Sequence, residues 1–196
     1  MAMARTTQRP RRTARQDALL DRLVTLFAAE GFARLTLDDI AARLSCSKTT
    51  LYALASSKQE LVVEAARQYF RVATAEVEAG LDGVEGCGPR IEAYLRGVAA
   101  CLQPLSPAFL EDLSGFAPAA AVYRRNTEAA ADRIRQLVSA GVESGELRPV
   151  HAGFVGEMVA ATMFEIQRGR LFERLELTDA EAYAELATFV VTALTD

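Results

Sequence analysis

Lys48, Thr49, Thr50 and Tyr52 follow directly on Ser47, and Lys58 lies a few residues on. Ser47 can cap a helix through its hydroxyl, which places Lys48, Thr49 and Thr50 in that helix's first turn. Backbone N–H groups and the helix dipole favour a phosphate there, and a helix laid in the major groove meets base edges with the same turn. Threonine can hydrogen-bond a base edge or a phosphate and can touch a thymine methyl, while Lys48 and Lys58 can neutralise phosphates on either side. Tyr52, one turn beyond Lys48, is placed to offer its hydroxyl to the duplex backbone. Singly, Thr49 and Thr50 read equally well as exposed helix residues and Tyr52 as a core aromatic. Taken with two capped short helices, the set favours DNA.

Other chemistries find less to work with. Cys46, Cys87 and Cys101 are scattered, the only histidine is His151, and no paired ligand spacing exists, so neither a metal nor a cofactor is implied. The chain has no Gly-x-Ser-x-Gly elbow, phosphate-cradling glycine loop, His-Glu-x-x-His or Glu-x-x-His pair, and no enzymatic role is expected. A helical adaptor that docks proteins through its apolar faces is the rival reading, but it has no need of Lys48, Thr49 or Lys58.

Periodicity predicts the helices that must hold these residues. Leu19, Leu20, Leu23, Val24 and Phe27 recur at helical steps over roughly Arg15 to Glu30, and Gly31 follows where a left-handed cap belongs. Thr36 stands three residues before Asp39, opening a second helix of about two turns through Leu37, Ile40, Ala41 and Leu44. Ser45-Cys46-Ser47 interrupts it, and the third helix turns Leu51 and Leu54 inward. A short helix, a tight turn and a short helix make a helix-turn-helix. Ser57 with Glu60 predicts a capping box for a long fourth helix carrying Leu61, Val62, Ala65, Ala66, Tyr69 and Phe70 on one face.

Charge divides along the same line. The 196 residues carry a formal charge of −4, yet residues 1–60 hold ten Lys/Arg against six Asp/Glu and residues 61–196 hold twelve against twenty. This suggests a basic DNA-facing module on an acidic body. The expected organisation is all-α: a basic N-terminal arm over 1–14, a helix-turn-helix domain over 15–60, and a helical ligand-binding and dimerisation domain over 61–196. The arm either reaches into the minor groove or contributes only salt-sensitive attraction. With no secretory signal, no membrane-length apolar run and unpaired cysteines, a cytoplasmic protein without membrane attachment is expected.

The stretch Leu19 to Phe70 resembles the DNA-binding domain of the tetracycline-repressor (TetR) family. The resemblance is carried by Leu26-Phe27-Ala28-Ala29-Glu30-Gly31-Phe32, Thr36-Leu37-Asp38-Asp39-Ile40-Ala41 and Ser47-Lys48-Thr49-Thr50-Leu51-Tyr52. It implies a homodimeric repressor that binds double-stranded DNA at a palindromic operator and is released by a small molecule. Position by position, it implies that Thr36 and Tyr52 contact phosphates, that Lys48, Thr49 and Thr50 face the groove beside Ser47, and that Lys58 grips the backbone. Ser45 departs from the family, which has glycine in the tight turn. Ala55 also departs, standing where an aromatic plug is common.

Beyond residue 70 only the layout is similar. A stripe of Ile91, Tyr94, Leu95, Val98, Cys101 and Leu102 follows a glycine-rich turn and stops near Pro104. A short apolar piece with Phe109, Leu110, Leu113 and Phe116 leads into a long helix ending at Gly145, and two more helices close the chain, the last opened by Thr178 and Glu181. Broken helices beside long ones can leave a cavity. Its expected lining is Tyr94, Cys101, Phe109, Phe116, Met158 and Phe164, with Tyr94 or Gln167 as a polar handle for a hydrophobic ligand. The last two helices have wide apolar faces and are expected to pair across a two-fold axis, although completing the subunit's own core is the alternative.

Overall fold

The structure, a computed structural model, describes residues 12–168, 175 and 177–195. Among these residues the chain forms nine helices: α1 (Ala14–Glu30), α2 (Leu37–Arg43), α3 (Lys48–Tyr52), α4 (Lys58–Ala79), α5 (Cys87–Leu102), α6 (Pro107–Gly115), α7 (Ala117–Ser144), α8 (Ala152–Arg168) and α9 (Asp179–Thr195). The fold is all-α. Most of the proposed basic arm, residues 1–11, lies outside the described residues.

Capping side chains fix most of the helix starts. Thr36 and Asp39 cap α2 reciprocally, the Thr36 hydroxyl accepting from Asp39 N while the Asp39 carboxylate accepts from Thr36 N. The hydroxyls of Ser47, Ser57 and Ser106 accept from the backbone N–H three residues on at α3, α4 and α6. Thr13 and Gln16 form a further box at α1, one residue before the predicted start. At α4 the expected box is displaced, because the Glu60 carboxylate takes the Ser56 N–H and hydroxyl. Helix α5 has no side-chain cap of its own. Its first N–H, from Cys87, instead donates to the Glu146 carboxylate beyond the end of α7 at 2.7 Å.

Two turns explain themselves through φ. Gly31 has φ 76° with ψ −176°, so its φ is positive as expected but it is not in the left-handed helical conformation. A Cβ there would lie 2.6 Å from the Asp112 carboxylate and 3.2 Å from the Ala108 backbone, so α6 approaches as closely as a glycine permits. Ser45 holds φ 49°, the one non-glycine residue with positive φ among the described residues; the chain tolerates a strained turn where glycine would relax it.

A continuous core then joins the helices. Leu20, Leu23, Phe27, Ile40 and Leu51 close the first three helices on one another and meet Leu61 of α4. Helix α7 packs on α4, α5, α6 and α8, and α9 lies along α5. Ala55 is buried in this core. Helices α8 and α9 are apolar on two sides. Val159, Met163, Ile166, Tyr183, Leu186 and Val190 turn inward, while Phe154 (65% exposed), Met158 (53%) and Phe189 (73%) face outward. Among the described residues, no helix is long and apolar enough to cross a membrane.

Candidate nucleic-acid interface and internal cavity

Helix α3 presents its polar residues outward because Leu51, with Leu54 beyond its end, is drawn into the core. Thr49 is exposed and Tyr52 is 48% exposed, so Tyr52 is a surface residue and not a core aromatic. Several neighbours are held by local partners. Lys48 Nζ lies 2.8 Å from Asp38 Oδ1 on α2, and that hydrogen bond, with the carboxylate's charge, raises the Lys48 pKa. Ser47 Oγ and Thr50 Oγ1 are 2.8 Å apart. The Thr36 hydroxyl donates to Asp39 at 2.6 Å, and this bond together with the Thr36 N–H lowers the Asp39 pKa. Lys58 Nζ donates to the Ala33 carbonyl at 3.0 Å.

Thr36, Ser47, Lys48, Thr49, Thr50, Tyr52 and Lys58 thus all belong to one compact module. Most of them hold α2, α3 and the α1–α2 corner in position. The arrangement offers hydroxyls and two ammonium groups on the outer side of a packed scaffold, which suits docking to a polyanion more than bond-breaking chemistry.

Sequence reasoning missed the ties that orient the module. Gln16 Nε2 donates to the Ala53 carbonyl at 3.1 Å, joining the start of α1 to the end of α3. Arg12, assigned to the arm, is ion-paired with the buried Glu64 of α4, which also meets Arg67 at 3.0 Å. Asp112 of α6 accepts from Phe32 N at 2.5 Å and Ala33 N at 2.7 Å, clasping the α1–α2 corner from the larger part of the chain. Apart from Glu64 and Arg67, these partners are 37 to 80 residues apart, beyond any local pattern.

Inside the larger part, α4, α5 and α7 leave a cavity of about 270 Å3, completed by Met163 of α8 and Tyr183 of α9. Of the expected lining, Tyr94 and Cys101 are present. Phe109 and Phe116 are placed elsewhere, with ring centroids 6.0 and 6.3 Å from Phe32 in the aromatic contact between α6 and the α1–α2 corner. Met158 faces outward from α8 because Val159 and Met163 occupy its inner side, and Phe164, half-buried, does not line the cavity. The Gln167 side chain lies outside the described residues.

The cavity wall is richer in phenols than expected. Tyr69, Tyr94, Tyr123 and Tyr183 line it, and the Phe70 and Tyr123 rings stack at 5.0 Å with 11° between their planes. Tyr69 donates to the Cys101 carbonyl. Burial pushes the Tyr94 phenol up to about 12 and, with the Tyr183 phenol beside it, holds Tyr123 well above the usual 10. Towards the polar side, Arg133 makes two bonds to the Glu78 carboxylate, of 2.9 and 3.1 Å, and Thr74 meets Asn126 at 3.0 Å. Apart from Tyr94, helical spacing marked none of these as lining, since an aromatic facing a void recurs at the same step as one in packed core.

Residues 19–65 match the family model described as bacterial regulatory proteins, tetR family. No curated protein matches the chain. Among solved structures, a transcriptional regulator from Cytophaga hutchinsonii superposes with a TM-score of 0.74 at 13% identity, over 94% of this chain and 100% of its own. A putative transcriptional regulator from Saccharomonospora viridis, in complex with choline, gives 0.74 at 15% identity over 94% and 100%. A TetR-family regulator from Agrobacterium tumefaciens gives 0.70 at 16% identity over 93% and 98%. At these identities the structural likeness establishes the fold.

Proposed function

We propose that the chain, whose residues 19–65 match the model of the tetR family of bacterial regulatory proteins, is a member of that family and a cytoplasmic repressor that binds a palindromic operator as a homodimer and leaves it when a small hydrophobic molecule enters the cavity. The observation that carries the DNA half is the outer side of α3, where Thr49 and Tyr52 stand exposed beside Lys48 on a module packed through Leu51. The outward Phe154, Met158 and Phe189 support the dimer. Paired across a two-fold axis, α8 and α9 of each copy would form a four-helix bundle and hold two α3 helices for successive major grooves.

Release is supported by the cavity and by the joint at Asp112. Helix α4 runs from the module into the cavity wall, and α6 clasps the α1–α2 corner, so a ligand that prefers one setting of these helices shifts the two modules relative to the operator. The choline held by the Saccharomonospora relative supports a small-molecule role for this part of the fold.

Fluorescence anisotropy on the DNA flanking the chain's own gene tests the reading, with a scrambled duplex, a salt series and the Lys48→Ala/Thr49→Ala double variant beside it. Binding should prefer the native duplex, and the variant should lose about a hundredfold in affinity, as expected when two groove contacts are removed. Equal binding to both duplexes, unaffected by the variant, would overturn DNA reading by α3 and leave the adaptor reading in its place.

A further inference from the structure

The Tyr123 hydroxyl is the buried side-chain polar atom that lacks a hydrogen-bond partner of ordinary geometry among the described residues. Its residue is 5% exposed and lines the cavity, so the group sits at a void and not in packed core. A buried hydroxyl left unbonded costs about 1 to 3 kcal/mol, which a molecule bringing one oxygen to that spot recovers. The other phenols differ: Tyr69 is bonded to the Cys101 carbonyl, Tyr94 lies nearer the Glu78–Arg133 pair, and Tyr183 stands beside the Tyr123 hydroxyl without the geometry of a full hydrogen bond to it.

Charge narrows the class of that molecule. Arg133 is the one cation in the cavity lining and both of its bonds to Glu78 are made, while the other lining carboxylate, Asp132, is ion-paired with Arg135, so neither an anionic nor a cationic ligand finds an uncommitted counter-ion there. The rest of the wall is mostly aromatic and aliphatic and includes the flat Phe70–Tyr123 stack; of its neutral polar side chains, Thr74 and Asn126 are bonded to each other, Thr127 to the Tyr123 carbonyl and Gln136 to Arg133. A volume of about 270 Å3 falls just below the range typical of drug-sized ligands.

We propose that the cavity takes a small uncharged molecule, largely aromatic or alicyclic, whose single oxygen function hydrogen-bonds the Tyr123 hydroxyl; this rests on the reading of the chain as a ligand-responsive regulator. The alcohol, phenol or ketone oxygen supplies the bond, and the rings fill the space beside the Phe70–Tyr123 stack.

Calorimetric titration of the full chain with four probes of one ring size tests it: 2-naphthol, naphthalene, 2-naphthoate and 2-naphthyltrimethylammonium. The phenol should bind about tenfold more tightly than naphthalene, the worth of one buried hydrogen bond, and at least about tenfold more tightly than either ion. Tyr123→Phe should erase the preference for naphthol over naphthalene while melting no lower than the wild type, and Tyr94→Phe should keep it. The proposal is overturned by a preference that survives Tyr123→Phe, by either ion binding as well as naphthol, or by no binding of the two neutral probes. DNA is absent from the titration, so naphthol that binds without releasing operator would count against ligand-driven release and not against this site.

Discussion

In the helix-turn-helix module all three helices start on a capping side chain, Thr13, Thr36 or Ser47, whereas α5 and α7 of the larger part start without one. The module's polar residues are bonded to near neighbours, as in Thr36–Asp39, Ser47–Thr50 and Lys48–Asp38. The larger part instead leaves a cavity and an unbonded buried phenol. A reader of a fixed duplex geometry gains from rigidity, and locally closed hydrogen bonds provide it. On the function proposed above, the larger part gains from packing left incomplete where a ligand would go, at some loss of stability there.

The sharpest way to break this contrast is at the joint between the regions. Gly31→Ala forces a Cβ towards Asp112 and Ala108 at a positive φ, and should cost about 3 kcal/mol in urea unfolding. A loss below about 1 kcal/mol would show that α6 yields easily and that the clasp is loose. Asp112→Ala leaves the Phe32 and Ala33 N–H groups without their carboxylate and should cost about 1 to 2 kcal/mol, with hydrogen exchange speeding up at these two amides before the rest of the module. Uniform acceleration across the molecule would instead make Asp112 a general stability residue.

Changes within each region are smaller and run in the stabilising direction. Ser45→Gly relaxes the φ 49° turn and should raise the unfolding free energy by about 0.5 to 1 kcal/mol, showing that the rigid region is not at its optimum. Tyr123→Phe removes the unbonded hydroxyl and should leave stability equal or raise it by up to about 1 kcal/mol; a clear loss would mean the hydroxyl is already satisfied.

The smallest effect is the acid response of the caps. Asp39 and Glu181 are held below their ordinary 3.8 and 4.5, the first by its hydrogen bonds from the Thr36 side chain and backbone, the second by those from the Thr178 backbone and side chain. Depressed folded values mean that their stabilisation is present above the ordinary values and is lost as pH falls through the folded ones. The gap in urea midpoint between wild type and Asp39→Ala should therefore be constant near neutrality and shrink below about pH 4. A gap that stays constant down to about pH 2 would place the stabilisation in the uncharged parts of the cap.

Much of this was legible in the sequence, and the reason is range. Thr36, Ser47 and Thr178 act on N–H groups three residues away, and Gly145 ends α7 in the left-handed conformation that its residue type favours, so helix starts and stops follow from neighbouring residues. The apolar step through Leu20, Leu23 and Phe27 fixed which side of α1 is buried. Tertiary structure alone decided the rest. Which carboxylate clasps the α1–α2 corner, that Glu146 caps α5, that Arg12 is tied to Glu64, and that Tyr123 faces a void while Met158 faces outward all depend on segments far apart in the chain meeting in space. Helical periodicity specifies an inward side but not what waits there, because packing and its failures arise only where several helices converge.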